Sequence, residues 1–206
     1  PKNGTLFIFA RSEGVKRGPP LAGKVSRGCA MTVVPSQMGR DAFVSRFGGV
    51  YEQSPWIAEQ VFDTGITQLA DSALGLSQAM VDIVEQAGRE PQLALLCAHP
   101  DLAGRLAVSG ELTSASSAEQ SAAGLDRCTT EQYGAFTDLN ERYTRRFGFP
   151  FILAVRGYHR DEILECFQRR VDNDVDVEFD EALEQVHRIA RLRLEALFTQ
   201  GDLSQT

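Results

Sequence analysis

The sequence predicts an all-α fold, a compact bundle of about seven or eight helices with one extended connector. Three observations carry that prediction. From about residue 40 onward, apolar residues recur at three- and four-residue steps, which keeps them on one helix face. Helix start and stop signals punctuate this period. The one apolar run without it, Phe147 to Val155, has no second run to pair with, and a sheet needs a partner strand.

Residues 1 to 35 stand apart, rich in Gly, Pro and Lys/Arg and without a period. Their short apolar stretch, Leu6 to Ala10, is too short for the core of a signal peptide with its cleavage site. Met31 reads as a natural start, so residues 1–35 are expected to be a disordered or non-native extension and residues 36–206 the helical domain.

Within that domain, Ser54-Pro55-Trp56 opens a helix, with Ser as the cap and Pro in the first turn. Residues 67–87 carry Leu69, Ala73, Leu76, Met80, Ile83, Val84 and Ala87 on one face, and Gly88 stops the run. Residues 91–97 form a short apolar helix that leads into His99-Pro100-Asp101. Residues 116–127 open with Ser116-x-x-Glu119, a capping-box pattern. Residues 129–146 place Tyr133, Phe136, Leu139, Asn140 and Tyr143 on one side, and residues 175–199 form the longest helical run. Between these two, Pro150 biases Phe149 toward an extended backbone, so the 147–155 stretch is read as a connector through the core.

Composition narrows the function. With 28 acidic and 21 basic residues the formal net charge is -7, which disfavours nucleic acid and anionic membranes as partners. No apolar run is long enough to span a bilayer. Arg156, Arg160, Arg169, Arg170, Arg188, Arg191 and Arg193 gather late in the chain but alternate with acids, the pattern of a solvated helix surface. The four cysteines, Cys29, Cys97, Cys128 and Cys166, form no C-x-x-C pair. They read as reduced, mostly buried thiols of a cytoplasmic protein. The dispersed histidines make no metal constellation, and neither a nucleophile elbow, a phosphate loop nor a dinucleotide fingerprint is present.

The candidates for chemistry are therefore few. His159 reads as a surface helix start and His187 as a structural histidine at the edge of the last helix's apolar stripe. His99 sits where an apolar helix ends before a proline. There it either moves protons or bonds the last carbonyls of that helix. Arg193 falls three residues after Ala190 and four before Leu197, inside the stripe formed by Phe179, Leu183, Val186, Ala190 and Leu197. A guanidinium aimed inward is costly unless paired or wetted, so it is either a carboxylate-binding residue of a pocket or a snorkelling or ion-paired one.

One ordered set of segments goes further. It comprises Phe47-Gly48-Gly49-Val50-Tyr51-Glu52-Gln53-Ser54-Pro55-Trp56, His99-Pro100-Asp101-Leu102-Ala103-Gly104, Leu112-Thr113 and Ser116-Ser117-Ala118-Glu119-Gln120. It continues with Ala123 to Asp126, Leu139-Asn140, Tyr143, Phe147 to Ile152, and His187 to Leu194. In this order the segments resemble the OHCU decarboxylases (2-oxo-4-hydroxy-4-carboxy-5-ureidoimidazoline decarboxylases) across about residues 40 to 200. Gln53 is a departure, since His is frequent there in the family.

The resemblance implies an all-helical homodimer, a carboxy-lyase without metal or organic cofactor. Its substrate would be OHCU and its product (S)-allantoin, at the end of urate breakdown in purine metabolism. It implies His99 as the acid/base, with Glu119 and Arg193 as the other catalytic residues. It places Pro100, Ser116, Gln120, Phe151, Ile152, Leu153, Ala154 and Val155 with Glu119 around the substrate. On this expectation Arg193 grips an anionic oxygen of the substrate, and His99 engages the hydroxyl or the leaving carboxylate. His99 then assists protonation at the carbon that loses CO2.

Overall fold

The structure, a computed structural model, describes residues 33–102 and 112–203, with side chains as far as residue 199. Eight α-helices run through the described residues: α1 (Arg40–Phe47), α2 (Pro55–Asp63), α3 (Ala73–Gln86), α4 (Arg89–Cys97), α5 (Ser114–Ala122), α6 (Thr130–Phe147), α7 (Arg160–Arg170) and α8 (Val175–Leu203). No strand occurs among them. None of these helices is long and apolar enough to cross a membrane.

The expectation for residues 1–32 lies outside the described residues. Val33 packs against the core, Pro35 is buried, and Ser36 donates through its N–H and Oγ to Asp71, each at 2.7 Å. The packed domain therefore includes residues 33–35.

Several helix ends differ from their sequence signals. Helix α2 does start at Pro55, but the Ser54 side chain makes no capping bond. The run expected over 67–87 divides. Gln68–Asp71 form a 3-10 turn, and Ser72 then caps α3 by accepting the Gly75 N–H at 3.1 Å. A Cβ at Gly75 would lie 1.7 Å from the Leu69 carbonyl oxygen, so only glycine fits under that turn. Leu69 leaves the apolar face and is 80% exposed. Ser116 is not a cap either. Helix α5 begins two residues earlier, with the Thr113 hydroxyl accepting the Ser116 N–H, which frees Ser116 and Glu119 for other partners. A reciprocal capping box does form at Thr129 and Gln132, and α6 ends at Gly148 with φ 81. Helix α7 carries no clear apolar period and was not foreseen beyond its start at His159.

The connector from Phe149 to Val155 is extended, unpaired and wholly buried. Phe151 stacks on Phe167 of α7 at 3.8 Å between ring centroids, and Tyr143 of α6 meets its edge. Buried backbone must find partners, and here side chains provide them. Arg170 Nη1 donates to the Ile152 carbonyl at 2.9 Å, and the Ala154 N–H donates to Gln185 Oε1 at 3.0 Å. Arg170 is thus not on a solvated surface, against expectation. It is buried and bonded through Nε and Nη2 to Glu178, which also accepts from the Tyr143 hydroxyl and from Asn173 Nδ2. Helix α8 packs along α3, α4 and α6 and closes the bundle. Of the three described cysteines, all free, only Cys166 is buried; Cys97 is exposed and Cys128 intermediate, so the expectation of mostly buried thiols fails.

Candidate active site

Helix α4 stops at Cys97, and the chain turns so that the His99 N–H reaches the Leu96 carbonyl. The ring lies with Nδ1 3.0 Å from the Leu95 carbonyl oxygen. A carbonyl only accepts, so Nδ1 carries the proton and Nε2 keeps its lone pair. His99 is 8% exposed, and burial pushes its pKa below the usual value, holding the ring neutral. The two readings of this residue are compatible, since His99 both bonds the end of α4 and lines a cleft.

The opposite wall comes from α5 and α8. Ser116, Glu119 and Gln120 share one face of α5 at three- and four-residue steps. Ser116 and Gln120 are buried, and Gln120 Nε2 donates to the Asp101 carbonyl at 3.4 Å. Arg193 of α8 chelates Glu119, with Nε to Oε1 and Nη2 to Oε2 both at 2.8 Å. Its Nη1 donates to Glu52 Oε2 at 2.9 Å and to the Val50 carbonyl at 3.3 Å, and Nη2 also reaches Ser116 Oγ at 3.3 Å. Those five bonds use all five guanidinium N–H groups. Arg193 is therefore the ion-paired residue of the two readings, and it lines the cleft as well. Burial works against its charge, but Glu119 and Glu52 outweigh that and raise its pKa.

His99, Pro100, Ser116, Glu119, Gln120, Phe151, Ile152, Leu153, Val155 and Arg193 all line this one cleft. Ala154 does not. Its backbone N–H instead donates to Gln185 Oε1 of α8 at 3.0 Å. Leu102 and Ile189 complete the wall and were not foreseen. Glu52 was also missed as a participant. It is only 2% exposed and accepts from Ser116 Oγ at 2.9 Å as well as from Arg193. Burial opposes its charge, yet bonds from Thr113, Arg193 and Ser116 win and hold its pKa below the usual carboxylate range. An acid set between Val50-Tyr51 and Ser54-Pro55-Trp56 was the available signal. Among the described residues, no three His, Cys, Asp or Glu side chains converge as metal ligands.

The family model for OHCU decarboxylase matches residues 36–195. The chain belongs to the OHCU decarboxylase family. It is 45% identical over 164 residues to the 2-oxo-4-hydroxy-4-carboxy-5-ureidoimidazoline decarboxylase of Haloferax volcanii, covering 80% of this chain and 94% of that one. It superposes on a crystal structure of (S)-allantoin synthase with a TM-score of 0.62 and 32% identity, covering 79% of this chain and 52% of that one. A structure of OHCU decarboxylase in the presence of (S)-allantoin shares the fold at a TM-score of 0.58 and 21% identity, over 79% of this chain and 99% of that one. The family motifs thus fall on two kinds of position here. Some residues face the cleft, such as His99 and Gln120. Others, such as Asn140, whose Nδ2 donates to the Leu102 carbonyl at 3.0 Å, brace the cleft from behind.

Proposed function

We propose that this chain decarboxylates OHCU to (S)-allantoin. The observation that carries the reading is the convergence of His99, Glu119 and Arg193, far apart in sequence, on one cleft with an apolar wall of Phe151, Ile152 and Val155. Family membership and the name of the Haloferax volcanii relative supply the substrate.

The chemistry follows from the substrate's structure and the site. The bond from C4 to the carboxylate breaks, CO2 leaves, and the electron pair forms a C4–C5 double bond. The conjugated ring nitrogen takes the displaced pair together with a solvent proton. The C4 hydroxyl then gives up its proton and becomes a carbonyl while C5, which bears the ureido group, gains one. The proton therefore lands beside the carbon that loses CO2, not on it. Neutral His99, with Nε2 as acceptor, takes the hydroxyl proton and returns it to one face of C5. The aromatic and aliphatic wall keeps water from the other face. Glu119 and Gln120 orient the ring and the ureido group. Arg193, its donors already engaged, acts by fixing Glu119 rather than by gripping the substrate with a free donor.

The same reading takes the protein to be a cytoplasmic homodimer. The free thiols of Cys97, Cys128 and Cys166 fit a reducing compartment, and family resemblance supports the dimer, which light scattering tests.

A circular dichroism time course tests the reaction, with OHCU generated in situ from urate by uricase and hydroxyisourate hydrolase. Growth of the (S)-allantoin signal faster than spontaneous decay supports the reading, and racemic product at the spontaneous rate sinks it. His99→Asn is expected to lower kcat by about 10²–10⁴-fold with the far-UV spectrum unchanged.

A further inference from the structure

We propose that Glu52 is a positioning residue of this site. From behind the cleft wall it locks the plane of Arg193 and the register of α5, so that Glu119 is presented to substrate in one orientation. The proposal rests on the decarboxylase reading. Glu52 is buried and is not part of the cleft lining. A carboxylate withdrawn from water needs partners, and these are all residues that hold the site. Its Oε2 accepts from Arg193 Nη1 and from Ser116 Oγ, each at 2.9 Å, and the Thr113 hydroxyl at the cap of α5 also bonds it.

The geometry explains what those bonds do. A guanidinium is planar, so fixing one edge fixes the others. Glu52 and the Val50 carbonyl hold Nη1, which leaves the Nε–Nη2 edge aimed at both oxygens of Glu119. Ser116 lies one turn before Glu119 on α5, so its bond to Glu52 sets the rotation of that helix about its axis. Glu52 also offsets the positive charge of Arg193, leaving Glu119 as the negative charge that the cleft presents. The chain at this point is tightly specified. Gln53 follows with φ 46, and Tyr51 is anchored by its hydroxyl 2.8 Å from His187 Nδ1.

The test uses the full chain with Glu52→Gln and Glu52→Asp, measuring kcat, KM and the pH profile of kcat/KM alongside chemical denaturation. The charged and titratable groups around Glu52 are Arg193, Glu119 beyond it and the neutral His99 of the same cleft. Glu52→Gln removes an anion near all three, so the acid limb of kcat/KM is expected to move to lower pH. The kcat is expected to fall about 10- to 100-fold with KM within about twofold. Glu52→Asp keeps the charge but withdraws the oxygens. It should lower kcat with the acid limb unmoved, and it serves alone if Glu52→Gln does not fold. Wild-type kcat in either variant would overturn the proposal, as would a loss in Glu52→Gln that appears only in KM or leaves the acid limb in place. A wild-type chain that does not outpace spontaneous decay would instead sink the decarboxylase reading, and this proposal with it.

Discussion

At the residue scale, the site is built from groups whose partners restrict them to one state. His99 has one tautomer because a carbonyl faces Nδ1, and Arg193 has one orientation because every N–H is engaged. Gln53 shows what such restriction costs. It is the described non-glycine residue with a left-handed backbone, at φ 46, directly after Glu52. Side chains disfavour that region by about 1–2 kcal/mol. Gln53→Gly is therefore expected to stabilise the fold by about 0.5–1 kcal/mol in urea titrations, after the entropy that glycine adds to the unfolded chain is subtracted. A β-branched Gln53→Val should do the opposite. Legibility at this scale divides by how a residue is partnered. The inward turn of Arg193 could be read from its place in an apolar stripe. For Glu52 the apolar neighbours hinted at burial, but its partners could not be read, because they lie on helices 64 and 141 residues away.

At the scale of elements, the connector from Phe149 to Val155 is the unusual part. A strand in a sheet has its backbone satisfied by neighbours, whereas this segment depends on single side chains from α7 and α8. Pro150 and the lost helical period made the extended shape legible. The identity of its supports was not, since Arg170 looks like any other charged residue in Arg160–Arg170. The segment's acids and bases mask the four positions it buries, Ile163, Cys166, Phe167 and Arg170. Arg170→Met strands the buried Glu178 carboxylate and the Ile152 carbonyl together, so a loss of about 3–5 kcal/mol is expected in equilibrium unfolding. Restoring much of that stability with Arg170→Met and Glu178→Leu combined would show that the cost comes from the orphaned charge. In the same way, the false capping box at Ser116 arose because a serine three residues before a glutamate has two uses. Only the position of Thr113 decides between them.

For the whole molecule, the buried titratable groups set how stability depends on pH. Burial lowers the pKa of both His99 and His187, so the unfolded chain binds protons more readily than the folded one below about 6.5. Stability is then fully present above that pH and falls as the solution is acidified. Glu52 adds to the same trend at lower pH, where protonating it removes its bonds to Arg193 and Ser116. The melting temperature is expected to be flat from about pH 8 to 7 and to decline below about 6.5. His99→Asn should make the decline shallower. A melting temperature that rises on acidification through this range would contradict the assignment of neutral, buried rings.

The pairing of Arg193 with Glu52 across 141 residues also bears on when the protein becomes active during its synthesis. Earlier helices can emerge and begin to pack while the ribosome is still adding residues. The cleft has no fixed Glu119 until α8 arrives and docks, and the Ala154 N–H waits on the same helix for Gln185. Catalytic competence therefore waits until α8 has left the ribosome. A ribosome stalled before α8 would hold a partly packed bundle with its histidine in place and no organised site around it.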